Sequence, residues 1–188
     1  MNIRSLAFAF LLPSTALVLA AEQPGQTDKE PATKLEAFQV QTGTVVIKGY
    51  SEIGKMAGLG TIEVNSMEFT DATSGKKQSG VVIEIKESGR LENTNRSFID
   101  YDEVDSLLKG LHYISKATPD VTKLSQFEAT YKTKGYFSAT TFSNRSGKID
   151  AAVKCGNYRP ANAFLSLQQL GELRALIEQA KQKLDSIK

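Results

Sequence analysis

The chain has 188 residues, of which 40% are hydrophobic and 23% charged, with a formal net charge of +2. That size and balance fit one ordinary domain, or two small halves sharing a core, and they exclude a disordered chain. One cysteine, one histidine and no tryptophan exclude an internal disulfide framework and any metal site built from clustered histidines and cysteines.

The first residues read as an export signal. Arg4 supplies a short positive region, and Leu6 to Leu19 is apolar apart from Pro13, Ser14 and Thr15. Val18 and Ala20 then give the small-residue pattern of a cleavage site after Ala20 or Ala21. A membrane span needs about 20 apolar residues, and this run is shorter and broken by Pro13. Residues 1–20 are therefore expected to be removed, leaving a periplasmic or extracellular protein with no transmembrane segment. Residues 21–43 are polar, contain two prolines and lack periodicity, which predicts a flexible leader.

From Thr44 the pattern changes to β-branched alternation. Val45 to Tyr50, Thr61 to Phe69 and Val81 to Glu87 read as strands, separated by the glycine-rich YSEIGKMAGLG and by TDATSGKKQSG. Gly54, Gly58 and Gly60 fit no phosphate-loop spacing and predict a flexible connection. An amphipathic helix follows over Tyr101 to Lys116. Gln126 to Lys134, Tyr136 to Phe142 and Lys148 to Cys155 are again strands, and a second helix covers Ser166 to Ile187. Cys155 alternates with Ile149, Ala151 and Val153, so strand period places it on their apolar face, buried and inert.

The two helices are related by a constant offset of 66, with Phe98 on Phe164, Tyr101 on Leu167, Val104 on Leu170, Leu107 on Leu173 and Leu111 on Ile177. The same offset sets Ile83-Glu84-Ile85 over Ile149-Asp150-Ala151. The chain is thus read as an α+β fold of two pseudo-repeats, each an antiparallel β-meander followed by an amphipathic helix. Residues 44–118 form the first half and 119–188 the second, in one compact unit. Asp100 with Glu103, and Ser166 with Gln169, have capping-box spacing at the helix starts. Each apolar helix stripe is expected to pack on the sheet of its own half.

Strands followed by a helix that opens F-L-S-L-x-x-x-x-x-L at Phe164 to Leu173, given twice, resemble the whirly, Pur-alpha and PC4-like group. The resemblance implies curved sheets of the kind on which those proteins bind single-stranded nucleic acid. It carries over no functional residue, because the lysine-rich strand motif of the whirly proteins has no counterpart here and no tryptophan is present to stack a base.

No catalytic, cofactor-binding or metal set is expected. His112 lies beside the apolar stripe of its helix, with no local serine or cysteine motif paired to it. Asp100, Asp102, Glu103 and Asp105 form the densest acidic cluster, but they lack the calcium-loop pattern and sit where a helix start favours acids. Asn95 and Asn144 each open an Asn-Arg-Ser triplet, a glycosylation acceptor only in a eukaryotic secretory pathway; in a bacterial chain both read as turn sequence.

The basic residues have more shape. Without the signal, residues 119–188 carry 11 basic and 6 acidic groups, against 9 and 11 over 44–118. In Phe127 to Lys134, Tyr131 falls on the apolar face and Lys132 and Lys134 oppose it. Lys148 and Lys154 likewise oppose Ile149 and Val153, with Arg145 and Arg159 in flanking loops. These six cations form a possible anion-binding face, with Tyr136 or Tyr158 available for stacking. The leading expectation is an exported, non-enzymatic binding or assembly protein of the bacterial envelope. An anionic-polymer binder (single-stranded nucleic acid or acidic polysaccharide) using the basic face is one alternative, and an enzyme using only carboxylates is another. Nucleic acid is disfavoured as a partner because export removes the chain from the cytoplasm.

Overall fold

The computed structural model describes residues 30–89 and 92–188. The expected signal peptide, its cleavage site and the first part of the leader lie outside the described residues. A short helix, α1 (Lys34–Gln39), opens the described fold. Four strands follow: β1 (Val46–Gly58), β2 (Gly60–Asp71), β3 (Lys77–Lys86) and β4 (Thr94–Asp100). They lead into helix α2 (Tyr101–Ser115). After a 3-10 turn at Pro119–Val121 come β5 (Glu128–Lys132), β6 (Ser138–Ser143), β7 (Ile149–Cys155), β8 (Ala161–Leu165) and α3 (Leu167–Asp185). Sheet A is β1-β2-β3-β4 and sheet B is β5-β6-β7-β8, every neighbouring pair antiparallel. The α+β fold of two meander-plus-helix repeats is what the sequence predicts, with four strands per repeat rather than three. Among the described residues no helix is long and apolar enough to cross a membrane.

One apolar core joins the two halves. Ile62, Val64, Val81, Ile83 and Ile85 from sheet A share it with Ala139, Ala151, Val153 and Cys155 from sheet B and with the stripes of both helices. Cys155 is fully buried, and its thiol donates to the Ile83 carbonyl at 3.3 Å. Burial pushes that thiol up to about 12, so it stays protonated and unreactive at neutral pH.

Each helix packs on the sheet of its own half, as expected, and on the other half's sheet as well: α3 lies against β1, β2 and β3 besides β7 and β8, and α2 against β5 and β6 besides β3 and β4. The Ser66 hydroxyl on β2 donates to the Ala180 carbonyl of α3 at 2.9 Å, and the Thr141 hydroxyl on β6 donates to the Ile114 carbonyl of α2 at 2.8 Å. Ala180 and Ile114 are equivalent residues of the two helices, so the same anchor is used twice, each time across the halves. A stripe needs an apolar sheet face, and periodicity does not say whose.

The offset of 66 holds for the fourth strands and the helices but not further back. Val82 pairs with Phe98, and Ala152 pairs with Phe164. The third strands are therefore offset by 70, and Ile83 corresponds to Val153 rather than Ile149. The connection before the fourth strand is longer in the first half. Because the difference of four is even, alternation still matches, and a strand period cannot detect the slip.

Two further expectations are corrected. The glycine-rich stretch is strand, not flexible connection: β1 runs to Gly58 and turns into β2 at Gly60, whose φ is +118°. A Cβ on Gly54 would stand 2.7 Å from a Leu176 methyl of α3, so the glycine is where the helix crosses the strand. The described part of the leader is not flexible: α1 buries Leu35 and Phe38 on the outer face of sheet A against Met67, Phe69, Val82 and Phe98. Phe38 stacks on Phe69 with ring centroids 6.3 Å apart.

Candidate functional site

The two sheets differ on their outer faces. On sheet A, α1 covers Phe98, which is 7% exposed. Its approach requires Gly80, where a Cβ would meet a Leu35 methyl at 2.5 Å. The equivalent Phe164 on sheet B has no covering element and is 52% exposed. Leaving half of that ring in water forgoes roughly 1 kcal/mol of burial that Phe98 gains. The strand register sets the outer face of sheet B in rows: Lys132, Ser138, Lys154 and Asn162 in one, Thr130, Thr140, Ala152 and Phe164 in the next, and Glu128, Phe142 and Asp150 in the third.

At the Phe164 end, the tip of the β1–β2 hairpin meets the open edge of β8. Leu59 bridges to Phe164, and the Gln169 amide donates to the Ala57 carbonyl at 3.1 Å. Leu59 is 72% exposed. Between this tip, Phe142 and Phe164 lies a groove of about 410 Å³.

The structure brings only part of the expected basic face together. Lys132 and Lys154 share a row, and Lys134 and Arg159 continue it into the β5–β6 and β7–β8 turns at the same end. Arg145 and Lys148 belong to the β6–β7 turn at the opposite end of the strands. Lys148 is also ion-paired there, 2.7 Å from Asp150. The face is therefore cationic at one end and carries Glu128 and Asp150 at the other. Tyr131 points inward as expected, and its hydroxyl donates to Ser106 at 2.9 Å. Tyr136 and Tyr158 line a second groove of about 370 Å³ beside α1 and Arg96 at the cationic end. Tyr136 (φ 63°) and Arg159 (φ 48°) hold the left-handed backbone in these two turns, a strain that ordinary turns leave to glycine.

The other sequence candidates are occupied separately. Asp100 does not cap its own helix. It is buried, and its carboxylate accepts from the backbone N–H groups of Lys34 (2.9 Å) and Leu35 (3.0 Å), capping α1 instead. The capping box expected with Glu103 is thus absent, and Glu103 accepts from the Lys134 backbone at 3.0 Å. Asp102 pairs with Lys34 at 2.6 Å, a hydrogen bond that holds its carboxyl below the usual range, and Asp105 stands 3.6 Å from Lys181. Among the described residues no three histidine, cysteine, aspartate or glutamate side chains converge on a metal position. His112 is exposed beside Lys109 and Lys116. Asn144 occupies a turn as expected, accepting from Ser146 and Lys148. Asn95 does not: it lies in β4, and its amide donates to the Tyr158 carbonyl at 3.2 Å.

The open groove, lined by Phe142, Leu59 and Phe164 together with Lys148 and Asp150, has no early signal in the sequence. Phe164 could be found only by pairing it with Phe98, and the difference between them depends on α1, which has no repeat partner. No family model, curated protein or solved structure matches this chain.

Proposed function

We propose that the protein is an exported, non-enzymatic binding or assembly protein of a bacterial envelope, and that it takes its ligand on the outer face of sheet B. The observation that carries this reading is the inequality of two equivalent faces. The same strand position is roofed by α1 in one repeat and left as an open groove with an exposed aromatic in the other. Exposed apolar patches on soluble proteins mark interaction surfaces more often than they mark neglect. A photo-cross-linking residue placed at Phe164 or Thr140 in the exporting cell should give a discrete adduct, and one at Gln179 on the exposed side of α3 should not. Equal labelling at all three positions, or none at Phe164 and Thr140, would sink the proposal. The same experiment reads export, through a processed N-terminus at Ala21 or Glu22.

The row of Lys132 and Lys154 favours a second reading, an anionic polymer lying across the cationic end. Binding to single-stranded DNA and to an acidic polysaccharide at low salt should then fall with rising salt and be lost in Lys132→Glu with Lys154→Glu. If the wild type binds neither polymer, those lysines only solvate the sheet.

A further inference from the structure

β1 is the edge strand of sheet A and the longest strand described, at 13 residues. The Ala72 N–H donates to the Val45 carbonyl at 2.9 Å. Alternation then turns the backbone groups of Ile47, Gly49 and Ser51 toward β2 and those of Lys48, Tyr50 and Glu52 away from the sheet. A register shift between Glu52 and Gly54 ends this regular stretch. Natural edges are blunted by proline, by charged side chains or by a bulge. β1 has no proline before its register shift at Glu52 to Gly54, and its charges there, Lys48 and Glu52, are of opposite sign. Val45 (67%), Ile47 (55%) and Tyr50 (71%) are exposed along this stretch, and Ile187 (51%) adjoins the same edge.

The stretch Ile47 to Ile53 reads apolar, basic, small, aromatic, small, acidic, apolar. It is chemically symmetric about Tyr50. If a second copy is laid antiparallel with Tyr50 opposite its own equivalent, Lys48 faces Glu52 on the outer side of the sheet. Gly49 faces Ser51 on the inner side, and Ile47 lies next to the second copy's register shift at Ile53. The residues whose backbone groups point outward, Lys48, Tyr50 and Glu52, are then the hydrogen-bonded pairs, giving about six main-chain hydrogen bonds at two per pair. Within one chain Lys48 lies over the Tyr50 ring at 5.6 Å, and Glu52 shares Lys55 with Glu63, at 3.3 and 3.1 Å. Lys55 therefore keeps a carboxylate if Glu52 turns to the partner copy.

We propose that two copies of this chain associate through β1, antiparallel and centred on Tyr50, joining their A sheets into one continuous sheet. The occupant is a second copy because the charge and size pattern complements itself, as an isologous contact requires. The test is the mass of the purified protein by light scattering and sedimentation at about 100 µM, a range in which contacts of modest area are populated. The wild type should run at twice the monomer mass. Lys48→Glu and Glu52→Lys each set like charges opposite one another across the interface and should weaken association about tenfold or more. Mixing the two variants pairs two carboxylates with two ammonium groups and should restore the dimer. Tyr50→Pro removes an outward N–H without touching the ladder to β2 and should give a monomer that melts like the wild type. A monomeric wild type, or charge variants that dimerise as it does, would overturn the proposal; so would a mixture no tighter than either variant alone.

Discussion

Where α3 crosses β1, the strand supplies Gly54 and the helix supplies Leu176. Where α2 crosses β5, the helix supplies Gly110 and the strand supplies Tyr131. The register makes these positions equivalent, since Leu176 lies 66 residues after Gly110, and Gly54 and Tyr131 stand opposite Val64 and Ala139 in their sheets. One crossing keeps its hole on the strand and the other keeps it on the helix. What the two repeats share is therefore a summed volume and not a residue at either position, as close packing demands.

That comparison is most easily broken at Gly110. A Cβ there would fall 2.2 Å from the Tyr131 ring, while a Cβ on Gly54 would meet only the end of the Leu176 side chain at 2.7 Å. Gly110→Ala should cost about 2–3 kcal/mol by overpacking, against a helix-propensity gain of about 1 kcal/mol. Gly54→Ala should cost less than about 1 kcal/mol, because Leu176 can change rotamer. Adding Tyr131→Ala should relieve most of the Gly110→Ala penalty. Urea unfolding of the wild type, Gly110→Ala, Tyr131→Ala and the double variant reads the coupling, and additive effects would show that Gly110 and Tyr131 do not share one packing site.

The helix starts differ next. Ser166 makes a local box, accepting from the Gln169 N–H at 3.2 Å while Gln169 accepts from the Ser166 N–H at 2.9 Å. Its equivalent, Asp100, is spent on α1. Ser166→Ala should cost about 1 kcal/mol, as lost caps do. Asp100→Ala leaves one buried and one part-buried donor and should cost about 2–3 kcal/mol. Limited proteolysis distinguishes them further: only the Asp100 variant should gain a cut between Thr33 and Gly43.

The smallest difference lies in the second hairpins, β2–β3 and β6–β7. Asp71 accepts from the Thr73 and Ser74 N–H groups at 2.8 and 3.0 Å, and Asn144 makes the same kind of turn from a neutral amide. The Ser74 N–H, followed by that of Thr73, holds the Asp71 carboxyl below its ordinary value. A lowered folded pKa gives stability that is present above the unfolded carboxylate value and lost as pH falls. Between about pH 5 and 3, Asp71→Asn should flatten the fall of melting temperature with acid. Asn144→Asp should steepen it.

Periodicity carries local facts well. The stripe and cap of α3, the inward Tyr131 and the buried Cys155 follow from spacing alone, because each depends on neighbours within a few residues. The features that spacing misses are long-range. Thr33 and Glu36 form a complete capping box before α1, but the helix has 6 residues, too short to show an apolar stripe. β4 and β8 are hard to see because their apolar residues run straight into a helix. Asp100 has the spacing of a cap, and only the distant Lys34 and Leu35 amides show whose cap it is. At the candidate site, the lysines of one strand face are legible, whereas their separation into two ends depends on which turn each connection occupies.

The sharing of each helix between both sheets also bears on the order of synthesis. Ser66 and Ala180 are 114 positions apart, so a nascent chain has made all of sheet A long before the helix that covers its inner face. Until α3 emerges, that half presents Ile62 and Val64 to water and has no complete hydrophobic partner. The first repeat can bury part of its sheet under α2, but the rest of that face waits for α3. If the chain is exported as proposed, this architecture delays compaction until nearly the whole polypeptide has left the ribosome, which keeps it in the unfolded form that threads across a membrane.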